Sequence, residues 1–160
     1  MPSTIVCRDM DDHKTEESVD NLSWRPAAYG IVVKDGAVLL LKQYNGYDLP
    51  GGGIDFGETS EEAVIREILE ESGLTTANPK LIHAATSYFR FPHTGPLQCL
   101  SLYYTCEYVS GQIHTDGLDE HEKNYAPEGC EWVPLERIKH INVAASIDWR
   151  KYIEEVVRTL

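Results

Sequence analysis

The chain has 160 residues, of which 42% are hydrophobic and 25% are charged. This length suffices for one domain with a single core, and this composition is typical of a globular protein, not of a disordered or fibrous one. The formal charge is −12, from 14 lysines and arginines against 26 acidic residues. So acidic a chain disfavours polymeric RNA or DNA as a partner, whereas a small phosphorylated substrate stays open if a divalent cation reverses the local charge.

The four cysteines, Cys7, Cys99, Cys106 and Cys130, contain no CxxC pair. Their wide spacing favours reduced, buried thiols of the kind found in cytoplasmic proteins. The first residues lack the basic start and apolar run of a secretory signal. No apolar stretch approaches the roughly 20 residues that cross a bilayer. We therefore expect a cytoplasmic protein with no membrane partner.

Residues 1–23 are polar and acidic without a sustained period, so we expect an N-terminal extension that is mobile or loosely docked. The domain proper is predicted to cover residues 24–160. Its first signal is a pair of apolar, β-branched runs separated by Lys34, Asp35 and Gly36. An Asp-Gly pair between such runs is typical of a β-hairpin.

A helix is predicted from Thr59 to Ser72, because Thr59 and Glu62 have the spacing of a capping box and Gly73 stands where a left-handed C-terminal cap belongs. Two strands should follow, separated by a turn around Pro92 to Pro96. After them we expect a polar stretch, a short strand with a helical turn, and a closing amphipathic helix. These five predicted segments are residues 80–91, 97–109, 110–129, 130–138 and 146–160. The order indicates an α/β protein of the α+β type, with a mixed β-sheet packed by helices.

The predicted helix carries two arcs of different chemistry. The aliphatic arc contains Val64, Ile65, Ile68 and Leu69, and the opposite, acidic arc contains Glu67, Glu70 and Glu71. Glutamates at this spacing repel one another by roughly a few tenths of a kcal/mol per pair, which a merely solvated surface does not require. Mg²⁺ and Mn²⁺ prefer carboxylate oxygens, so the acidic arc favours a metal site. The three preceding glycines, 51–53, let the backbone approach a cation closely.

The stretch from Gly52 to Leu74 resembles the Nudix box at every position that the motif defines, namely Gly52, Glu58 and the run from Arg66 to Leu74. The predicted elements around it also look like the Nudix fold, in which a mixed β-sheet is sandwiched between helices. The resemblance covers residues 24–160. It implies a Mg²⁺-dependent hydrolase, with Mn²⁺ as a substitute, that cleaves the pyrophosphate bond of a nucleoside diphosphate linked to another group.

The resemblance also implies roles for individual residues. Glu67, Glu70 and Glu71 would ligate the metal together with the carbonyl of Gly51. Glu58 and Arg66 would organise the helix and its carboxylates. Many members of the family place a further acidic residue outside the box, as general base or additional ligand. The candidates for it here are Glu120, Glu122 and Glu128, and their spacing does not choose among them.

The strand after the box often helps to line the substrate pocket in this family, so Tyr88 and Arg90 are candidate substrate-binding residues. Phe89 and Phe91 share the opposite strand face, where an aromatic ring either stacks on a base or packs into the core. A nucleoside triphosphate, ADP-ribose or a nucleotide sugar, and a dinucleoside polyphosphate all stay open as the small nucleotide substrate. Homodimers are frequent in the family. A non-catalytic, nucleotide-sensing Nudix domain is the alternative, which the intact glutamates disfavour.

Overall fold

The computed structural model describes residues 1, 3–91 and 93–160. The described strands are β1 (Thr4–Arg8), β2 (Lys14–Ser18), β3 (Ser23–Ile31), β4 (Val33–Lys34), β5 (Ala37–Gln43), β6 (Gly46–Asp48), β7 (Gly51–Gly53), β8 (Thr75–Phe91), β9 (Gly95–Ser110) and β10 (Cys130–Pro134). The α-helices are α1 (Ser60–Ser72), α2 (Glu120–Tyr125) and α3 (Arg150–Thr159). Short 3₁₀ helices cover Val19–Asn21 and Leu135–His140.

The strands form two sheets. The larger sheet has the order β2-β1-β8-β9-β3-β7, and the smaller one has the order β10-β5-β4, with β6 also paired to β5. Most neighbours are antiparallel, but β3 and β9 run parallel over the whole length of β3. The sheets are therefore mixed, which confirms the predicted fold class.

Two hydrophobic clusters use opposite faces of β5. Leu39 and Leu41 pack in one cluster with Ile68 of α1. Leu40, between them, packs in the other cluster with Trp149 and with Ile153 of α3. Because successive side chains of a strand point to opposite faces, one apolar run contributes to both clusters. Helices α1 and α3 accordingly cover different sides of the β-structure.

The two strongest local signals of the sequence are confirmed. Asp35 and Gly36 have φ angles of 48° and 77° in the turn between β4 and β5, as a type I′ hairpin turn requires. At the start of α1, the Thr59 side chain accepts the Glu62 backbone N–H, and the Glu62 carboxylate accepts the Thr59 N–H. Gly73 ends the helix with φ 77°.

The later elements also follow the prediction. Strands β8 and β9 pair antiparallel from Thr75 to Ser110. Within the predicted turn, Pro92 lies outside the described residues, and β9 already begins at Gly95. The polar stretch contains the short helix α2, while β10 and α3 lie where a strand and a closing helix were expected. All four cysteines are buried and free, as predicted. In the described part of the chain, no helix has the length and apolar character needed to cross a membrane.

The N-terminal residues, for which we expect a mobile or loosely docked extension, contain two strands. Strands β1 and β2 form an antiparallel hairpin, and β1 joins the larger sheet beside β8 through the Arg8–Phe89 pair. Glu17 of β2 forms an ion pair with Arg90 of β8. Cys7 is the one fully buried side chain of the two strands, so no apolar alternation marks them in the sequence.

Candidate functional site

The C-terminal half of α1 faces the glycine strand β7. The Gly51 N–H donates a hydrogen bond of 2.8 Å to Oε2 of Glu71, whose side chain is buried. At Gly52, an added Cβ would lie 2.7 Å from Oε1 of Glu67. Real Cβ atoms do not approach other atoms so closely, so only glycine leaves the Glu67 carboxylate in this position. Two glutamates thus lie directly against this strand, Glu71 bonded to the Gly51 N–H and Glu67 in the space left by Gly52.

Arg66 links the surrounding carboxylates into one network. Its guanidinium donates to both carboxylate oxygens of Glu58 at 3.0 and 2.5 Å, to Glu67 at 2.9 Å and to Glu70 at 3.2 Å. It also donates to the Gly53 carbonyl at 3.0 Å, which ties α1 to β7. The hydrogen bonds from Arg66 lower the pKa of Glu58 to about 2, so this carboxylate stays charged at neutral pH. The predicted organising pair is therefore in contact.

Three carboxylates converge beside this network. Oxygen atoms of Glu67, Glu71 and Glu122 lie within 4.8 Å of one another. Glu122 reaches the cluster from α2, where a capping box with Asp119 fixes the start of the helix. Burial is the main cause that raises the pKa of Glu67 and raises that of Glu71 well above its usual range. A cation at this point would favour the charged forms that burial disfavours.

The structure changes the predicted set of converging residues. Glu70 contacts Arg66, but its side chain is 45% exposed and is not part of the cluster formed by Glu67, Glu71 and Glu122. Leu69, predicted on the packing face, is 49% exposed, whereas Glu67 and Glu71 are buried. The buried face of α1 therefore includes two of the carboxylates, and Gly52 leaves the space that Glu67 occupies.

Of the three candidates outside the box, only Glu122 lies in the cluster among the described residues. Glu120 is exposed and pairs with Lys123 on its own helix. Glu128 pairs with Lys42 at 2.7 Å and is also largely exposed. The sequence signal that could have favoured Glu122 is its three-residue spacing from Asp119, which is the spacing of a capping box.

The cluster fits a hard divalent cation. Its donors are all carboxylate oxygens, the ligand type that Mg²⁺ and Mn²⁺ prefer. Glu71 accepts one hydrogen bond from a backbone N–H, and none of the described lysines or arginines lies within ion-pair distance of it. Two buried carboxylates and a half-buried one at this spacing repel each other unless a cation or protons intervene.

A cavity of about 120 Å³ opens beside Glu71 and Gly51. Its floor is formed by strands of the larger sheet and includes Phe89 and Phe91, whose rings meet edge to face with centroids 4.8 Å apart. Neither Tyr88 nor Arg90 is among its described lining residues, since alternate side chains of β8 face the other way. The structure thus brings the phenylalanines, and not the predicted Tyr88 and Arg90, to the cavity.

Several residues of the cavity wall carry no signal in the sequence. They include Met10, Arg25, Tyr29, Asp48, Tyr103 and Tyr125. Asp48 accepts hydrogen bonds from the Leu49 N–H at 2.7 Å and from Nε1 of Trp149 at 3.0 Å. Burial raises the pKa of Asp48 to about 7. These residues come from distant parts of the chain, so only the fold places them together.

The fold and the site together define a single α+β domain in which an acidic helix meets a glycine strand beside a cavity. The family model described as the NUDIX domain matches residues 24–153. The chain therefore belongs to the NUDIX family, which confirms the resemblance seen in the box.

Two curated relatives are similar in sequence to part of the chain. An ADP-ribose pyrophosphatase from Methanocaldococcus jannaschii is 36% identical over 92 residues, which cover 54% of this chain and 53% of the relative. An RNA pyrophosphohydrolase from Actinobacillus succinogenes is 30% identical over 128 residues, which cover 72% of this chain and 64% of the relative. The chain spans about half the length of the curated relatives it matches.

Solved structures of similar proteins share the fold. A mutator MutT protein from Bacillus halodurans has a TM-score of 0.61 at 25% identity, covering 83% of this chain and 82% of that one. A MutT NUDIX hydrolase from Burkholderia pseudomallei has a TM-score of 0.56 at 23% identity, covering 71% of this chain and 85% of that one.

Proposed function

We propose that this protein is a divalent-cation-dependent hydrolase that cleaves the pyrophosphate bond of a small nucleoside diphosphate derivative. The observation that carries the proposal is the convergence of Glu67, Glu71 and Glu122 within 4.8 Å, beside an aromatic-lined cavity. Membership of the NUDIX family, with an ADP-ribose pyrophosphatase and an RNA pyrophosphohydrolase among the relatives, supports the reaction type.

Glu67, Glu71 and Glu122 would hold Mg²⁺ or Mn²⁺. When bound, such a cation neutralises phosphate charge and lowers the pKa of a coordinated water. The remaining residues position these ligands: the Gly51 N–H restrains Glu71, and Arg66 restrains Glu67. Metal ligation by Glu70 and by the Gly51 carbonyl stays a prediction, as does the identity of the general base.

The cavity favours a small nucleotide over polymeric RNA as substrate. Phe89, Phe91 and Tyr103 offer aromatic surface in its wall, on which a base can stack. The net charge of −12 disfavours the approach of a long phosphate backbone. Within the small nucleotides, ADP-ribose, sugar nucleotides, triphosphates and dinucleoside polyphosphates are the compounds to compare. A homodimer and a cytoplasmic location stay predictions.

The test is product analysis by chromatography, with and without Mg²⁺, on these four classes of compound and on a short 5′-triphosphorylated RNA. We expect metal-dependent release of a nucleoside monophosphate from one class of small nucleotide. Glu71→Gln keeps the size of the side chain and removes its charge, so turnover should fall by about 100-fold or more. Glu61→Gln is the matched control, because Glu61 lies exposed in the first turn of the same helix.

Three results would count against the proposal. Full turnover by Glu71→Gln would show that the carboxylate cluster is not the metal site. If every compound stayed intact while one of them raised the melting temperature, the protein would be a nucleotide-binding sensor instead of an enzyme. Cleavage of the RNA alone would overturn the assignment to small nucleotides.

A further inference from the structure

Arg25 is a cation in the cavity wall without an acidic partner. It is the one lysine, arginine or histidine among the described residues that line the cavity. Its Nη1 donates a long hydrogen bond of 3.4 Å to the Tyr29 hydroxyl, and its Cζ lies 5.5 Å from the centre of the Phe91 ring. Across the described residues, no carboxylate oxygen lies within 4.0 Å of its guanidinium nitrogens. Apart from its contacts with the Tyr29 hydroxyl and the Cys99 thiol, its five N–H donors are therefore free for a ligand.

Arg25 differs in this respect from the other partly buried arginines of the described residues. Arg8, Arg66 and Arg150 all pair with carboxylates, and acidic residues outnumber basic ones 26 to 14 in the whole chain. A half-buried guanidinium that lacks a counter-ion is costly unless a ligand supplies the negative charge. Tyr29 and Phe91 hold the side chain in place, so little further ordering is required when the ligand arrives.

The position of Arg25 relates it to the carboxylate cluster. Its strand, β3, lies next to β7, with Tyr29 opposite Gly51 in the register. Burial alone would lower the pKa of Arg25, but the neighbouring Tyr29, Cys99 and Glu67 together raise it. Glu71, which belongs to the carboxylate cluster, lines the same cavity as Arg25. A group bound between them would meet the metal site on one side and a planar guanidinium on the other.

We propose that Arg25 binds a phosphoryl oxygen of the substrate's diphosphate. The proposal rests on the proposed function, since it assigns a contact to the substrate of the same site. A guanidinium matches a phosphate group in both charge and geometry, because its parallel N–H groups can donate to two oxygens at once. The cation at the glutamates and Arg25 would together neutralise a group that this acidic protein otherwise repels.

The test is calorimetric binding of imidodiphosphate, a diphosphate that is not hydrolysed, to the full chain in the presence of Mg²⁺. Arg25→Gln should weaken binding by about 10- to 100-fold, as expected for loss of a charge-assisted hydrogen bond. Arg25→Lys keeps the positive charge but not the planar pair of N–H donors, so its loss of affinity for imidodiphosphate should be smaller. Arg158→Gln, on the exposed face of α3, is the matched control and should bind as the unmodified chain does. Melting temperatures establish that each variant is folded.

Adenosine and guanosine, which carry a base but no phosphate, separate the phosphate contact from a base contact. Their binding should be unchanged in Arg25→Gln. The proposal is overturned if imidodiphosphate binds Arg25→Gln and Arg25→Lys as tightly as the unmodified chain, or if only nucleoside binding is lost. The calorimetric measurement does not require turnover, so it can be distinguished from the test of the proposed function. A failure of the proposed function would appear instead as uncleaved substrates after incubation with the unmodified chain.

Discussion

Gly52 occupies a position at which a single methyl group would disturb the carboxylate cluster. A Cβ there would stand 2.7 to 2.9 Å from the three carboxylate atoms of Glu67, whereas a Cβ at Gly53 would meet nothing within 4 Å. Gly52→Ala should therefore displace Glu67 and weaken Mn²⁺ binding by about 10- to 100-fold, with a parallel loss of turnover. Gly53→Ala is the matched control. Equal Mn²⁺ affinities for the two variants in a calorimetric titration would contradict this account of the glycine.

Asp48 should make stability depend on pH. Burial raises its pKa from 3.8 to about 7, so between these values the folded chain binds a proton that the unfolded chain has released. The stability contributed by protonated Asp48 is fully present below pH 4 and is lost as the pH rises through 7. The free energy of unfolding should fall with a slope of at most about 1.4 kcal/mol per pH unit.

Asp48→Asn keeps the shape of the side chain and removes the titration. Its free energy of unfolding, measured by urea denaturation from pH 4 to 8 with a chelator present, should fall less with rising pH than that of the unmodified chain. Both proteins retain every other titrating group, so the difference between the two curves reports Asp48. Parallel curves would show that Asp48 is not buried as a neutral acid.

The β1–β2 hairpin is an element outside residues 24–153 that nevertheless reaches the cavity. Met10, at its turn, belongs to the cavity wall, and its carbonyl accepts a hydrogen bond of 2.8 Å from Nδ2 of Asn45. Asn45→Ala should loosen the turn and raise KM by about two- to tenfold, with little change in kcat, because one hydrogen bond is lost away from the carboxylates.

Thr4→Ala is the control for this prediction, since Thr4 bonds Glu16 at the end of the hairpin away from that turn. Amide hydrogen exchange near Met10 should increase in Asn45→Ala alone. An unchanged KM together with faster exchange would show that the hairpin does not shape the substrate site.

The elements that the sequence predicts well are those with local signals. The capping residue Thr59 and the left-handed Gly73 bound α1, and the Asp35-Gly36 pair marks a hairpin, because each of these acts on its own few residues. The β1–β2 hairpin has no such signal. It is defined by pairing with β8, and one buried residue, Cys7, is too little for a period to appear.

The residues of the candidate site also fall into two groups, those that local sequence signals predict and those that only the fold brings together. The box places Glu67, Glu71 and Arg66 on one helix, where spacing alone predicts that they share a region. Glu122 comes from a different helix, α2, so its approach to Glu67 and Glu71 follows from the fold and not from its position in the box. Likewise Arg25 and Asp48 meet the same cavity from β3 and β6, so their relation to the carboxylates depends on the sheet.

The net charge of the whole molecule has the same sign as the charge of its proposed substrates. With a net charge of −12, the chain repels nucleotide anions at long range, while the proposed cation and Arg25 would attract them only nearby. Salt screens the long-range part first, since the screening length is about 10 Å at 0.1 M. Raising the ionic strength from about 20 to 200 mM at saturating Mg²⁺ should therefore increase kcat/KM by about two- to fivefold.

The increase should be larger for a nucleoside triphosphate than for a sugar nucleotide, because the triphosphate carries more negative charge and is repelled more strongly. Stopped assays across a potassium chloride series would measure both, with the melting temperature recorded at each concentration to follow stability. A fall in kcat/KM with added salt would contradict the predicted repulsion of the substrate. It would show that the field at the cavity mouth is positive, so that the cation and Arg25 outweigh the acidic surface even at a distance.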